Sequence, residues 1–350
     1  MREMSSSPVP FWLYNLHGRP QYIGCGDYTN LLNDIVFFSG LRGYAEKIWL
    51  MIQKIYPRHA VQDKHLIIAW KKLPTTLQQT VKSTLLWRTD WYKNTLFVGG
   101  VTTDDRRFFV KAYRRPDETL LAVHQASFIH YYFHNYFTTV QPAHYDDSMV
   151  FYPLLAHKSN QPDPAAISEK LILIALEHQE IFSANTKPVM DYINLNLPSL
   201  LQKNGRIDLW PVIRQTLASV SPMASIPVHG DMTPWNIFNS DHALPVLIDC
   251  ERAGWHVIFY DWWHFQCQPR IMKFQLPKIL ELITGLHKAT NMDKALITQT
   301  GLLYMLDQLA YDLQDQDDYP QQKQRLQQTT QLKIKTVEIL LNQLQHAGTK

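Results

Sequence analysis

The chain is poor in cysteine, in net charge and in long apolar runs. Its three cysteines, Cys25, Cys250 and Cys267, form no C-x-x-C pair, and an odd count points to reduced thiols and not to a disulfide framework. No uninterrupted apolar stretch approaches the roughly 20 residues a membrane span needs, and the N-terminus lacks the apolar core of a signal peptide. A cytoplasmic location with no membrane span is the expectation. The formal net charge is only +3, and Arg114-Arg115, Arg106-Arg107 and Lys71-Lys72 are the only adjacent basic pairs, so no nucleic-acid partner is expected. There is no internal repeat. The glutamine-rich patch Gln321 to Gln331 reads as the solvated face of a helix.

Against this background one stretch stands out. His229-Gly230-Asp231-Met232-Thr233-Pro234-Trp235-Asn236 spells H-x-D-x-x-x-x-N, and Ile248-Asp249-Cys250-Glu251 follows a short strand later. A loop that turns back on itself lets Asp231 face an acceptor hydroxyl while Asn236 faces a magnesium ion, which Asp249 reaches from a neighbouring strand. Carboxylate and amide oxygens are the hard ligands magnesium prefers. The flanks fit: Ser225 to Val228, Ile237-Phe238 and Leu244 to Ile248 read as short apolar strands, the last two joined by the turn Asn239 to His242. Taken singly, His229 could be a core histidine, Asp231 a turn former, Asn236 a cap and Asp249 a surface acid. Their joint spacing between strands is what points to phosphoryl transfer.

These segments, His229 to Phe238 and Leu247 to Gly254, resemble the catalytic and metal-binding motifs of the aminoglycoside phosphotransferase and choline kinase family, relatives of the protein kinases. That family has D-x-D or D-x-E as its second motif, and here it reads Asp249-Cys250-Glu251. The resemblance, carried by pattern over roughly residues 80 to 345, implies an α+β, bilobal protein kinase-like fold with a small antiparallel-sheet lobe and a larger, mainly helical lobe. The length allows one large core split over two such lobes. The resemblance further implies transfer of the γ-phosphoryl group of ATP to a small hydroxylated acceptor, with Mg2+. It makes Asp231 the catalytic residue, Asn236 and Asp249 the metal ligands, and His229 and Glu251 supporting residues. Asp261, opening the aromatic segment Trp262-Trp263-His264-Phe265, is implied to accept hydrogen bonds from the backbone around His229 and Gly230; a plain helix N-cap is an alternative and compatible role.

Upstream, Ser83 to Arg88, Thr95 to Thr102 and Arg107 to Tyr113 read as three consecutive strands. Lys111, the only lysine within them, resembles the one that clamps the nucleotide phosphates; its ordinary reading is an edge-strand lysine. The loop Thr89 to Asn94 has no glycine, so it is not a G-x-G-x-x-G loop. The helix Pro116 to Phe133 places Gln125 where the family carries a glutamate partner for the lysine. Its only acids, Asp117 and Glu118, sit in the first turn, where the helix dipole suffices to explain them.

Met149 to Leu155 looks like the last small-lobe strand running into a hinge, with Tyr152 and Leu154 offering backbone to adenine. Helices are expected over Ala165 to Ser183, Pro188 to Leu197, Pro211 to Val220, Leu276 to His287, Asp293 to Leu313 and Gln321 to Gln345. Residues 1–80 read as an extension packed on the small lobe, with a helix from Tyr44 to Ile55 and an apolar run Leu66 to Trp70; residues 81–155 form the small lobe and hinge, and 156–350 the large lobe. Candidate acceptor walls are Trp235, Trp255, Trp262, Trp263, Tyr304 and Tyr311, which suit a sugar face or a quaternary ammonium group. Asp307, Asp312, Asp315, Asp317 and Asp318 could attract a cationic acceptor such as an amino sugar; the ordinary readings are core aromatics and a solvated helix end.

The sequence therefore reads as a kinase acting on a sugar, amino sugar or amino alcohol. The alternative is an inactive kinase-like scaffold, supported by the missing glutamate and glycine loop. A metal-dependent hydrolase built on His229 and Asp231 lacks a second histidine at ligand spacing.

Overall fold

The computed structural model describes residues 11–14, 20–26, 28, 31, 48–51, 83–88, 95–103, 106–154, 162–181, 187–220, 223–239, 244–318 and 322–347. The chain divides into two compact units, the first over Met1–Ser127 and Val140–His157, the second over Phe128–Thr139 and Lys158–Lys350.

The first unit is built on a seven-stranded sheet ordered β1-β2-β3-β4-β5-β8-β7. Strands β3 (Ser83–Arg88), β4 (Thr95–Thr102) and β5 (Arg107–Tyr113) have the bounds that their aromatic and β-branched residues predict. Sequence reading missed β1 (Phe11–Tyr14) and β2 (Pro20–Gly26), which extend this sheet past β3. On the other side β8 (Met149–Pro153) pairs with β5, and the short β7 (His144–Tyr145) closes the edge. Leu86, Val101, Val110, Ala112, Met149 and Phe151 form the core under the sheet. Tyr28, fully buried, donates its hydroxyl to the carbonyl of Leu50 at 3.0 Å. Residues 48–51 are helical; the rest of the expected Tyr44 to Ile55 helix and the run Leu66 to Trp70 lie outside the described residues.

Helix α1 (Pro116–Phe133) begins on proline, whose missing N–H costs nothing in the first turn. It buries Ala122, Ala126, Ile129 and Phe133, a stripe at helical spacing.

The second unit is mainly helical. It holds α2 (Pro164–Ile181), α3 (Lys187–Lys203), α4 (Trp210–Ala218), α5 (Tyr260–Met272), α6 (Ile279–Thr290), α7 (Lys294–Asp318) and α8 (Lys323–Ala347). One continuous hydrophobic core joins α5 and α7 to the strands that carry the motifs. Trp263 lies against Gly301 on α7, where an added Cβ would come within 2.9 Å of the indole ring. Trp262, Trp263 and Tyr304 are core residues, so the ordinary reading of these three candidate acceptor walls holds.

Two acids of the run on α7, Asp307 and Asp312, are likewise turned to internal use. Tyr260 donates its hydroxyl to Asp307, and the buried Lys333 of α8 pairs with Asp312 at 2.7 Å. Neither acid is a solvent-facing attractor for a cationic acceptor, and the side chains of Asp317 and Asp318 lie outside the described residues. The glutamines of 322–331 stay largely at the surface while Thr329 and Thr330 turn inward.

Two small sheets hold the motif loops in place. Strand β9 (Ser225–Val228) pairs antiparallel with β12 (Gly254–Val257), and β10 (Ile237–Phe238) pairs with β11 (Val246–Leu247), which runs parallel to β6 (Thr138–Thr139).

Candidate active site

The buried end of β9 delivers His229, Gly230 and Asp231 into the loop. Gly230 adopts φ 80°, and an added Cβ would lie 2.1 Å from the carbonyl oxygen of Arg252. Only glycine lets the two motif loops approach this closely. After Asp231 the chain makes a short helical turn over Pro234–Asn236 and enters β10.

The peptide of Ile248 ties the motifs together. Its N–H donates to the carbonyl of Asn236 at 3.1 Å, and its carbonyl accepts from His229 Nε2 at 2.9 Å. That bond fixes the tautomer: Nε2 carries the proton, and Nδ1, buried, has no partner among the described residues. Burial holds the imidazole of His229 below its ordinary pKa, so it stays neutral. The next residue, Asp249, adopts φ 64°, in the left-handed region that aspartate enters at some cost. Ala253 N then donates to the Cys250 carbonyl, closing a turn around half-buried Glu251.

Asp231 sits between two donors. The amide nitrogen of Asn236 donates to its Oδ2 at 3.0 Å and to its main-chain carbonyl at 2.9 Å. His264 Nε2 donates to its Oδ1 at 2.9 Å. A carboxylate has about four lone-pair sites, so each oxygen keeps one for a substrate proton. Burial alone would raise the pKa of Asp231, but the bond from His264, with Arg252 nearby, holds it below the usual carboxylate value. His264 is itself fully buried, and desolvation lowers its pKa; it donates as a neutral imidazole whose Nδ1 accepts from Tyr304 Oη at 3.3 Å. Sequence reading missed His264, whose only sequence hint is its place one turn after Tyr260 on an otherwise aromatic, core-facing helix.

Asp261 is buried on α5 and accepts from the N–H of His229 at 2.7 Å and of Gly230 at 2.9 Å, one on each oxygen. It does not cap the helix: Phe259, with φ 65°, occupies the N-cap position. Burial pushes the Asp261 carboxyl up to about 7 against these two bonds, which favour the charged form.

Lys111, Glu118, Gln125, Tyr152 and Leu154 belong to the first unit, whereas Trp235, Trp255 and Tyr311 share the second unit with this constellation. Lys111 is half-buried on β5 of the first unit, in register with Val98 and Val150. Gln125, also half-buried, belongs to the α1 portion of that unit. Glu118 is more buried than a dipole role requires, 6 % exposed, and accepts from Arg115 Nε at 2.9 Å. Tyr152 pairs with Phe109, and the N–H of Leu154 donates to the Arg107 carbonyl at 3.0 Å. Of the candidate acceptor walls, Trp235 and Trp255 are exposed and Tyr311 half-buried; Trp255 packs edge-on against Phe128 and Tyr132, and Tyr311 carries the Arg252 guanidinium 4.8 Å above its ring.

Among the described residues no three His, Cys, Asp or Glu side chains cluster as a metal site. The donor set of Asn236 and Asp249 nevertheless fits magnesium, which takes one or two protein oxygens and completes its shell from phosphates and water. The Asn236 amide nitrogen is committed to Asp231, which turns its Oδ1 away from that bond.

Comparison with known proteins follows the same lines. A family model described as the phosphotransferase enzyme family matches residues 185–277, the stretch that holds both motifs and Asp261. No curated protein sequence matches the chain. Among solved structures, a candidate fructosamine-3-kinase from Haemophilus somnus 129PT superposes with a TM-score of 0.52 at 13% identity, over 77% of this chain and 97% of that one. LicA in complex with AMP gives a TM-score of 0.51 at 14% identity, over 79% and 99%; a further structure names LicA as a choline kinase from Streptococcus pneumoniae. At such identities the likeness is one of fold. Residues 185–277 thus match the phosphotransferase enzyme family, and they are set in a fold shared with these two structures.

Proposed function

We propose that the protein is an ATP- and magnesium-dependent kinase that phosphorylates a hydroxyl of a small molecule. One observation carries the reading: the Asp231 carboxylate is held ionised between Asn236 and His264, while Ile248 tethers Asn236 beside the strained Asp249. Backbone strain and a half-buried, oriented carboxylate are costs that a scaffold has no reason to keep.

In this reading the acceptor oxygen attacks the γ-phosphorus, the bond to the β-phosphate oxygen breaks, and ADP leaves with the electron pair. The hydroxyl proton passes to a free lone pair of Asp231. A carboxylate held below its ordinary pKa is a weak base, so its work is to orient the hydroxyl until the bond to phosphorus forms, as a loose transition state permits. Asn236 Oδ1 and Asp249 would hold Mg2+, which when bound neutralises charge on the β- and γ-phosphates. Lys111 would hold the phosphates, and Tyr152 and Leu154 would meet adenine; at Leu154 the contact falls to the carbonyl, because its N–H is spent on Arg107. Asp261 would brace the loop through the two backbone bonds it accepts, with His229 and Glu251 in support.

A screen of hydroxylated metabolites for ADP release with ATP and magnesium tests the proposal. Turnover that vanishes in Asp231→Asn supports it. Failure of the wild type on a broad panel of sugars, hydroxy acids, sugar phosphates and amino alcohols would overturn it in favour of a binding protein.

A further inference from the structure

Beside the catalytic loop the second unit holds a cavity of about 380 Å3, lined by Ala165 and Ser168 of α2, Pro234 of the loop, and Phe265, Gln266 and Arg270 of α5. Pro234 lies three residues after Asp231 and two before Asn236, so a molecule resting here touches the loop that carries the base. The volume suits a small metabolite.

The polar side chains that line this space belong to Ser168, Gln266 and Arg270. Ser168 Oγ accepts from Trp262 Nε1 at 2.9 Å and from Gln266 Nε2 at 3.0 Å. With both lone pairs taken, the Ser168 hydroxyl proton is left to donate. Arg270 is half-buried near the end of α5; its Nη1 is shut off from solvent and has no hydrogen-bond partner among the described residues. Among the described residues no carboxylate lines the cavity. Of the two acids flanking the lining residues of α2, Asp163 accepts from the N–H of Ala165 at 3.1 Å as a helix cap, and Glu169 beside Ser168 is exposed. A buried guanidinium nitrogen without an acceptor is costly unless a ligand supplies one. Its planar fork matches the paired oxygens of a carboxylate or phosphate.

We propose that the acceptor carries an anionic group, carboxylate or phosphate, which this cavity receives on Arg270 with a second hydrogen bond from Ser168. The substrate class is then a hydroxy acid or a phosphorylated polyol, not an amino sugar or amino alcohol. This assignment rests on the kinase reading for its consequence, transfer to that molecule's hydroxyl, but not for the binding itself. Two of the acids on α7 agree, since Asp307 and Asp312 are paired with Tyr260 and Lys333.

The test uses the full chain and a matched panel: glycerol 3-phosphate and other sugar phosphates, glycerate and other hydroxy acids, their uncharged counterparts, ethanolamine and inorganic phosphate. Calorimetry without nucleotide should show binding of at least one phosphorylated or carboxylated compound and none of its neutral counterpart. Arg270→Gln should weaken that binding by roughly tenfold or more, and Ser168→Ala by a smaller factor. With ATP and magnesium, Arg270→Gln should raise KM for the same compound while kcat changes little. Arg270→Lys should recover part of the loss, which a folding defect would not. Phosphate-bearing and carboxylate-bearing arms separate the two anion sources. No anion binding anywhere in the panel, equal binding by Arg270→Gln, or turnover confined to neutral or amino acceptors would overturn the proposal. Arg270-dependent anion binding without any ADP release would remove the kinase reading and leave the cavity assignment standing.

Discussion

His264 Nε2 donates to Asp231 Oδ1 at 2.9 Å, and no water reaches the histidine. The bond does two things for the carboxylate: it fixes the plane of the group and it favours the charged form, offsetting the cost of burial. Removing it should act on both. His264→Ala should lower kcat by about 10- to 100-fold, the usual worth of a hydrogen bond to a charge. The acid limb of the pH–rate profile should move upward, because Asp231 would lose the donor that depresses its pKa. His264→Gln, which can donate from a similar place, should recover part of both. A kcat loss with no movement of the acid limb in either variant would show that His264 supports only packing.

Asp231 and Asp249 should fail in different ways. Asp231→Asn keeps the shape of the side chain but removes the proton acceptor, so nucleotide affinity should persist while turnover falls by roughly a hundredfold or more. Asp249→Asn removes a charged metal ligand, and magnesium-dependent nucleotide binding should weaken along with turnover. Calorimetry of ATP with and without magnesium, beside an ADP-release assay, separates the two. Unchanged magnesium-dependent affinity in Asp249→Asn would remove this residue from the metal site.

Much of this site was legible because its parts are local. The spacing from His229 to Asn236 and the return at Asp249 are separated only by the short β10–β11 pair, and β3 to β5 and α1 begin and end where alternation, turn residues and Pro116 place them. What stayed hidden depends on contacts far along the chain. His264 meets Asp231 across 33 positions, and β12 is held by β9 beside it, so the strand at Gly254 to Val257 is not expected from the sequence. Nothing in the spacing of Trp262, Trp263 and Tyr304 separated a ligand wall from core. The helix packing of α5 on α7 decided it.

The buried titratable groups set a pH dependence of stability. Burial holds His178, His229, His256 and His264 below the ordinary imidazole pKa. Between those depressed values and 6.5 the unfolded chain binds more protons than the fold, so stability rises with pH through that window. Asp261 has the opposite sign. Burial pushes its carboxyl up to about 7, and from ordinary carboxylate pH to that point the fold binds the extra proton, so stability falls as pH rises. Four imidazoles outweigh one carboxyl, and each net proton is worth about 1.4 kcal/mol per pH unit. Denaturant titrations should therefore show stability climbing from pH 5 to 6.5, with a steeper climb in Asp261→Asn. A flat or falling curve in the wild type would contradict the buried, neutral state of these histidines.

Gly230 offers a test of the loop that avoids every charged group. Its φ of 80° and the 2.1 Å that would separate an added Cβ from the Arg252 carbonyl leave alanine no place without moving one of the two motif loops. The strain falls on the loop between Asp231 and the turn at Asp249, and it also disturbs the N–H that Gly230 gives to Asp261. Gly230→Ala should cost about 1–3 kcal/mol of stability, the range for a non-glycine forced into an unfavourable backbone region. The larger effect should be on turnover, since small displacements of a positioned carboxylate are expensive. Gly205 is the control: it has φ 68° with nothing within 4 Å of an added Cβ, and it lies far along the chain from either motif. Gly205→Ala should show a similar backbone cost and normal kcat. Equal kcat in the two variants would mean that the close approach of Gly230 to Arg252 does not position Asp231.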